Sequence, residues 1–177
     1  LQSFDVANPL PPADADVEIT ELDFALRATP HDVPAPYLHA DRAVLPGGTI
    51  AICYGAGDWD PERCVPPELF AGIAATHPCI TLMPEPPPFA ALNPEGCPCD
   101  MGATAALVAG ADLVITVDTM IAHLAGALGR PTWLLLKAEC DWRWTPGATR
   151  TPWYSAMRLF HQHQPDALGG DWQPVLR

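Results

Sequence analysis

The sequence predicts an α/β domain whose sheet is mostly parallel, with helices on both faces. Two observations carry that expectation. Four short apolar runs, "GTIAICYGAG" at 48–57, "CITLMP" at 79–84, "DLVITV" at 112–117 and "TWLLLK" at 132–137, have the length and continuity of strands buried on both sides. Between them lie three segments that can each make a helix, and helical crossovers are what joins parallel neighbours.

The first helical segment is Pro67–Thr76, where proline is tolerated near the first turn and Leu69, Phe70 and Ile73 form an apolar side. The second, "DMGATAALVAGA", is expected to start after Asp100 and end near Gly110, following the loop "EPPPFAALNPEGCPC". The third follows "DLVITV" directly. Its residues Ile121, Leu124, Ala125 and Leu128 recur at helical spacing, while Ala122, Gly126 and Ala127 leave room for another backbone. Gly129 suits a left-handed stop and Pro131 bars continuation. The reading is strand–helix–strand–helix–strand–helix–strand over 48–137, with "SAMRLFHQ" beyond it as a terminal helix.

Residues 1–47 are punctuated by "NPLPP", "ATPHDVPAP" and "LPGG", which leave room only for a small helix or edge strand near 17–27. The domain reading is therefore a proline-rich segment or domain remnant over 1–47, and the α/β domain over 48–177. The opening "LQSFDVANPL" has neither the basic flank nor the apolar core of a signal peptide, and it looks like the edge of something larger. No run reaches the length of a membrane span, so a cytoplasmic setting with reduced thiols is expected.

Nine Lys and Arg against 21 Asp and Glu give a formal charge of −12, with Lys137 the one lysine. Such a surface repels a nucleic-acid backbone, and a phosphate ligand needs a local site of backbone N–H groups and a few cationic side chains. The six cysteines include "CPC" at 97–99, whose spacing fits neither a structural zinc pair nor a CxxC redox site; no metal or cofactor is expected.

In parallel sheets ligands gather at the carboxyl ends of strands, and "DLVITV" ends at Asp118. Asp118 is expected to cap the helix, Thr119 to begin it, and His123 to stand one turn on along the same face. Amides at the helix start, the Thr119 hydroxyl and a nitrogen of His123 can together receive a diphosphate. Equally, the three can be a cap, a first-turn residue and a core-edge histidine. The turn from Tyr54 through Gly55 to Gly57 is a second candidate ligand loop, or simply a tight turn.

The blocks "DLVITVDTMIAHLAGALGRPTWLLL" (112–136), "DWRWTPGATRTPWYSAMRLFHQ" (141–162) and "GDW" (170–172) together resemble the carboxyl-terminal half of glycosyltransferases related to ADP-heptose lipopolysaccharide heptosyltransferases, especially the branch fused to tetratricopeptide repeats. Weaker similarity reaches back to about residue 34. The resemblance implies a Rossmann-like domain of the GT-B architecture that binds the nucleotide diphosphate of a sugar donor, for inverting hexosyl or heptosyl transfer. The acceptor domain and its general base would lie elsewhere, so no catalytic residue is assigned and the chain alone is expected to be incomplete for catalysis. By this likeness Asp118 organises the turn or accepts sugar hydroxyls, and Thr119 and His123 stand near phosphate. Arg63 occupies the place of a family arginine, although Cys53 replaces a tryptophan-like position and Ala103 an acidic one. Lys137, at a strand end, can neutralise phosphate or simply be solvated. The alternative reading is a degenerate, non-enzymatic interaction domain.

Overall fold

A computed structural model describes residues 17, 21–29, 36–57, 60–162 and 172. Much of the proline-rich start therefore lies outside the described residues, as do Gly170 and Asp171 of "GDW". The chain divides into two units, Leu1–Val33 and Pro34–Arg177. In the first, a short helix α1 spans Leu22–Leu26, and Phe24 and Leu26 on it are exposed.

The second unit is built on strands β1 (Ile50–Cys53), β2 (Cys79–Thr81), β3 (Leu113–Val117), β4 (Thr132–Leu136) and β5 (Met157–His161). They form one parallel sheet in the order β2-β1-β3-β4-β5. The four predicted strands are all present. The fifth corrects the expectation of a terminal helix at "SAMRLFHQ": Met157 and Leu159 are buried and the intervening Arg158 is exposed, an alternation of period two rather than 3.6.

Helices α3 (Met101–Gly110) and α4 (Met120–Ala127) cover one face through Val108, Ile121, Leu124 and Ala125, which pack on Ala51, Ile80 and Val114. The opposite face, with Ile52, Ile115, Val117 and Leu135, receives Val65, Phe70, Phe89 and Trp172. The Pro67–Thr76 helix is more broken than its pattern suggests: Pro67–Phe70 is a 3-10 turn, and α2 is confined to Ala71–Ala74. Pro66 and Pro67 cannot donate to a helical ladder, which explains the interrupted start.

Both sheet edges are closed by loops. On β2, Asn93 accepts from Thr81 N and donates to Thr81 O, at 2.9 and 2.8 Å; on β5, Leu159 N donates to Thr149 O. Such covers remove the unpaired groups that invite a foreign strand. Residues 36–48 run against the α3 and α4 side, where Tyr37 N and Leu38 N share Ala127 O and Ala43 N donates to Ala106 O.

One topological fact positions the site. From β1 the chain moves to β2 on one side, then crosses back to β3 on the other, so the order reverses between β1 and β3. Crevices open at the carboxyl ends of strands at such a switch point.

Candidate functional site

The loop after β1 and the turn after β3 meet at that point. Arg63, at the end of the 3-10 turn Pro61–Arg63, donates from Nη1 to the carbonyl of Asp118 at 2.7 Å. The guanidinium thus ties two strand ends together. Asp118 itself is buried.

The cap of α4 differs from the expectation by one position. Thr119, not Asp118, is the N-cap: its backbone is extended and its hydroxyl accepts from Ile121 N at 3.2 Å. The correction has a simple physical reason, since a threonine oxygen one residue closer to the helix reaches the second amide, leaving the Asp118 carboxylate clear of capping duty. Gly129 ends the helix region at φ 66, as its sequence suggests.

Two cavities flank this helix start and share Arg63, Thr119 and Met120. The first, about 360 Å³, is lined also by Asp60, Asp118, His123, Leu136, Lys137, Glu139, Cys140, Asp141 and Arg143. The second, about 490 Å³, is walled by Cys53, Gly55, Ala56, Gly57, Leu82, Met83, Cys97, Cys99 and Thr104 among others. Of the sequence candidates, Arg63, Asp118, Thr119, His123 and Lys137 therefore converge on the first cavity, while Gly55 and Gly57 line the second. Tyr54 lines neither; its ring packs with Phe70 and Phe89 at 6.3 and 6.1 Å.

The three cations of the first cavity are paired before any ligand arrives. Asp60 lies 3.0 Å from Lys137 Nζ and 3.5 Å from Arg63 Nε, and Glu62 is 3.3 Å from Lys137. Burial works against the Lys137 ammonium, but the hydrogen bonds and charges of Asp60 and Glu62 hold its pKa above the ordinary lysine value. Asp141 pairs with Arg143 at 3.3 Å. With Asp118 and Glu139 included, the wall carries four carboxylates against three cations.

His123 stands at the back of this cavity. Its Nδ1 is 3.0 Å from Tyr154 Oη, and its ring stacks on Trp144 at 5.4 Å. Partial burial is the main influence on its pKa and lowers it; Asp118 and Asp141 push the other way, Arg143 with burial. Trp144 is wholly buried, whereas Trp142 is exposed and carries Arg143 over its ring at 5.6 Å. Cys140 donates to Trp144 O and its thiol pKa is raised by burial, which suits packing rather than nucleophilic attack. Among the described residues no group of three His, Cys, Asp or Glu can hold a metal ion, and no helix is long and apolar enough to cross a membrane.

Sequence reasoning passed over Asp60, Glu139 and Asp141 as cavity residues. The available signal was the rule already used for β3: the loops after β1 and β4 also leave carboxyl ends, and "GDWDPERC" and "KAECDWRW" are those loops. It also passed over Tyr154. The small residue Gly126 admits a ring rather than a backbone: a Cβ there would come within 2.3 Å of Tyr154 Cγ.

The model of glycosyltransferase family 9 (heptosyltransferase) matches residues 97–160. Protein FlbA of Caulobacter vibrioides is 37% identical over 87 residues, which are 48% of this chain; the chain spans 13% of that protein's length. Among solved structures, E. coli ADP-heptose lps heptosyltransferase II aligns with a TM-score of 0.47 and 18% identity, over 72% of this chain and 47% of that one. A glycosyl transferase family 9 protein from Veillonella parvula aligns at 0.47 and 15%, over 80% and 38%. The stretch from 97 to 160, which runs from the loop before α3 through β3, α4 and β4 into β5, is glycosyltransferase family 9-like.

Proposed function

We propose that this domain binds the nucleotide diphosphate of a sugar donor in the first cavity, as the donor half of a heptosyltransferase-like inverting transferase. The acceptor domain, in this reading, is supplied outside the chain. The observation that supports it best is convergence: Arg63, Thr119, His123 and Lys137 come from three separate strand ends and line one hollow at the switch point.

In this scheme a diphosphate draws Lys137 and Arg63 away from Asp60, and the α4 start and the His123 imidazole add hydrogen bonds. Asp118 accepts hydroxyls of the sugar. During transfer an acceptor hydroxyl attacks the anomeric carbon opposite the leaving nucleotide diphosphate; the same cationic groups stabilise the departing charge, and a base on the acceptor side removes the proton.

Calorimetry with ADP, UDP and GDP tests the binding step. Saturable binding of one of them, lost or weakened about tenfold or more in His123→Ala, is expected for a group bonded to a charged ligand. Absence of saturable binding with all three removes the reading.

The paired state of the cavity favours one competing account, a degenerate domain that makes protein contacts instead. Asp60 already pairs with both Lys137 and Arg63. Under that account Asp60→Ala gains no nucleotide affinity, whereas a donor site relieved of a competing carboxylate binds more tightly.

A further inference from the structure

His123 is held from behind by a residue that does not line the cavity. Tyr154 Oη meets Nδ1 at 3.0 Å, and the tyrosine ring is seated where Gly126, one turn along α4, carries no side chain. Trp144 closes the other side of the imidazole in a near-parallel stack, 27° between planes. Tyr37, whose backbone N–H is fixed to Ala127 O at the end of the same helix, also interacts with the Tyr154 side chain. Burial raises the Tyr154 pKa beyond the ordinary tyrosine range, so the phenol keeps its proton.

A neutral imidazole places its single proton on one nitrogen, and the partner of the other nitrogen decides which. Two arrangements satisfy the tyrosine: it donates to Nδ1, or it accepts from Nδ1–H and donates to Tyr37. The charges facing the ring choose between them. Asp118 stands on the turn before α4, and Asp141 and Arg143 on the loop after β4; Asp141 and Arg143 largely cancel as a pair at 3.3 Å, which leaves the Asp118 carboxylate. A lone pair on the cavity nitrogen would face that negative charge, while an N–H there is attracted by it.

We propose that Tyr154 is a positioning residue: its hydroxyl donates to Nδ1 of His123, keeps the imidazole proton on Nε2, and so makes the ring an N–H donor toward the first cavity. The tautomer stands by itself; its use, to meet a phosphate oxygen of a nucleoside diphosphate, rests on the donor-site reading above. A ring with an acceptor nitrogen facing the cavity would repel the same phosphate.

The experiment is long-range 1H–15N correlation of the His123 imidazole in the ligand-free protein at neutral pH, with Tyr154→Phe alongside. The wild-type ring is expected to show a protonated Nε2 and an unprotonated Nδ1. Tyr154→Phe, which keeps the ring over Gly126, is expected to move both nitrogens toward values averaged over two exchanging tautomers. A wild-type ring protonated on Nδ1 overturns the proposal, as does a Tyr154→Phe spectrum identical to wild type.

Affinity for ADP, UDP and GDP is the second readout. Tyr154→Phe is expected to weaken the nucleotide that binds by about threefold to tenfold, the scale of one hydrogen bond, and to do so only when His123 is present. An equal loss in a His123→Ala background marks a merely structural tyrosine and overturns the positioning role. Should the wild-type protein bind none of the three nucleotides while the expected tautomer shift is seen, the positioning of the ring is upheld and the donor-site reading alone falls.

Discussion

The two cavities beside the start of α4 share Arg63, Thr119 and Met120 yet offer different chemistry. On one side the loops after β1 and β4 bring three carboxylates and three cations, and the turn and helix after β3 add Asp118 and His123. On the other, the segment after β2 brings Leu82, Met83, Pro84, Cys97 and Cys99, and Arg63 is the one charged side chain on the wall. The same helix terminus thus serves a charged hollow and a soft, thiol-lined one. A helix start by itself does not define a ligand; the loops that surround it do.

The largest expected break in this comparison comes from Trp144, which lies behind the charged cavity with none of its surface exposed. Trp144→Ala is expected to cost about 3–5 kcal/mol in urea unfolding, through lost burial and the void left behind. Trp144→Phe should lose clearly less, because it keeps an aromatic surface beneath His123 and deletes an indole N–H that has no hydrogen-bond partner.

Asp60→Ala is next in size and acts on the charged cavity more than on the fold. With that carboxylate gone, Lys137 and Arg63 face the hollow with less competition. If the cavity takes a nucleoside diphosphate as proposed, its affinity is expected to rise by about tenfold at low salt, less at high salt because partly exposed charges are screened. Stability should change by no more than about 1 kcal/mol, the range of ion pairs at the surface. Equal affinity in calorimetry with and without Asp60 would place the anion outside this cavity.

His123 supplies a pH test. Its folded pKa lies below the ordinary value of 6.5, mainly because burial disfavours the imidazolium. Above that value the ring is neutral in both folded and unfolded chains and contributes no pH dependence. As pH falls below it, the unfolded chain takes up the proton first, and stability drops until the folded pKa is passed. Each unit of depression corresponds to about 1.4 kcal/mol. Thermal unfolding from pH 7.5 to 5 should therefore fall less steeply in His123→Gln than in wild type.

The smallest effect sharpens the contrast through cysteine chemistry. Cys99 is exposed at the second cavity, whereas Cys53 and Cys97 are buried and the Cys53 thiol pKa is raised, chiefly by burial. Thiol labelling should modify Cys99 well before the other two. A nucleotide seated in the charged cavity leaves the Cys99 rate nearly unchanged, and a marked protection would shift the ligand to the thiol-lined side.

Much of this arrangement is legible in local sequence. "DLVITV" is strand β3, Asp100 caps α3 by accepting from Ala103 N at 2.7 Å, and Gly129 closes the α4 region. Each of these depends on a pattern contained within a few residues. The terminal segment misled because "SAMRLFHQ" is short enough to suit either period, and pairing with β4 decides for a strand. The cap of α4 was misplaced by one residue for a related reason: Asp and Thr are both good caps, and backbone direction selects between them.

What the sequence by itself determined is therefore the alternation of buried strands and helices, the acidic surface, and a turn after β3 bearing Asp118, Thr119 and His123. Tertiary structure alone decided that the order reverses between β1 and β3, that Asp60 would hold Lys137 from 77 positions away, and that Tyr154 would reach His123 across 31. Periodicity and capping are short-range consequences of backbone geometry. The partner of a charge or a ring nitrogen is set by which loops the sheet brings together, and nothing in the local pattern encodes that meeting.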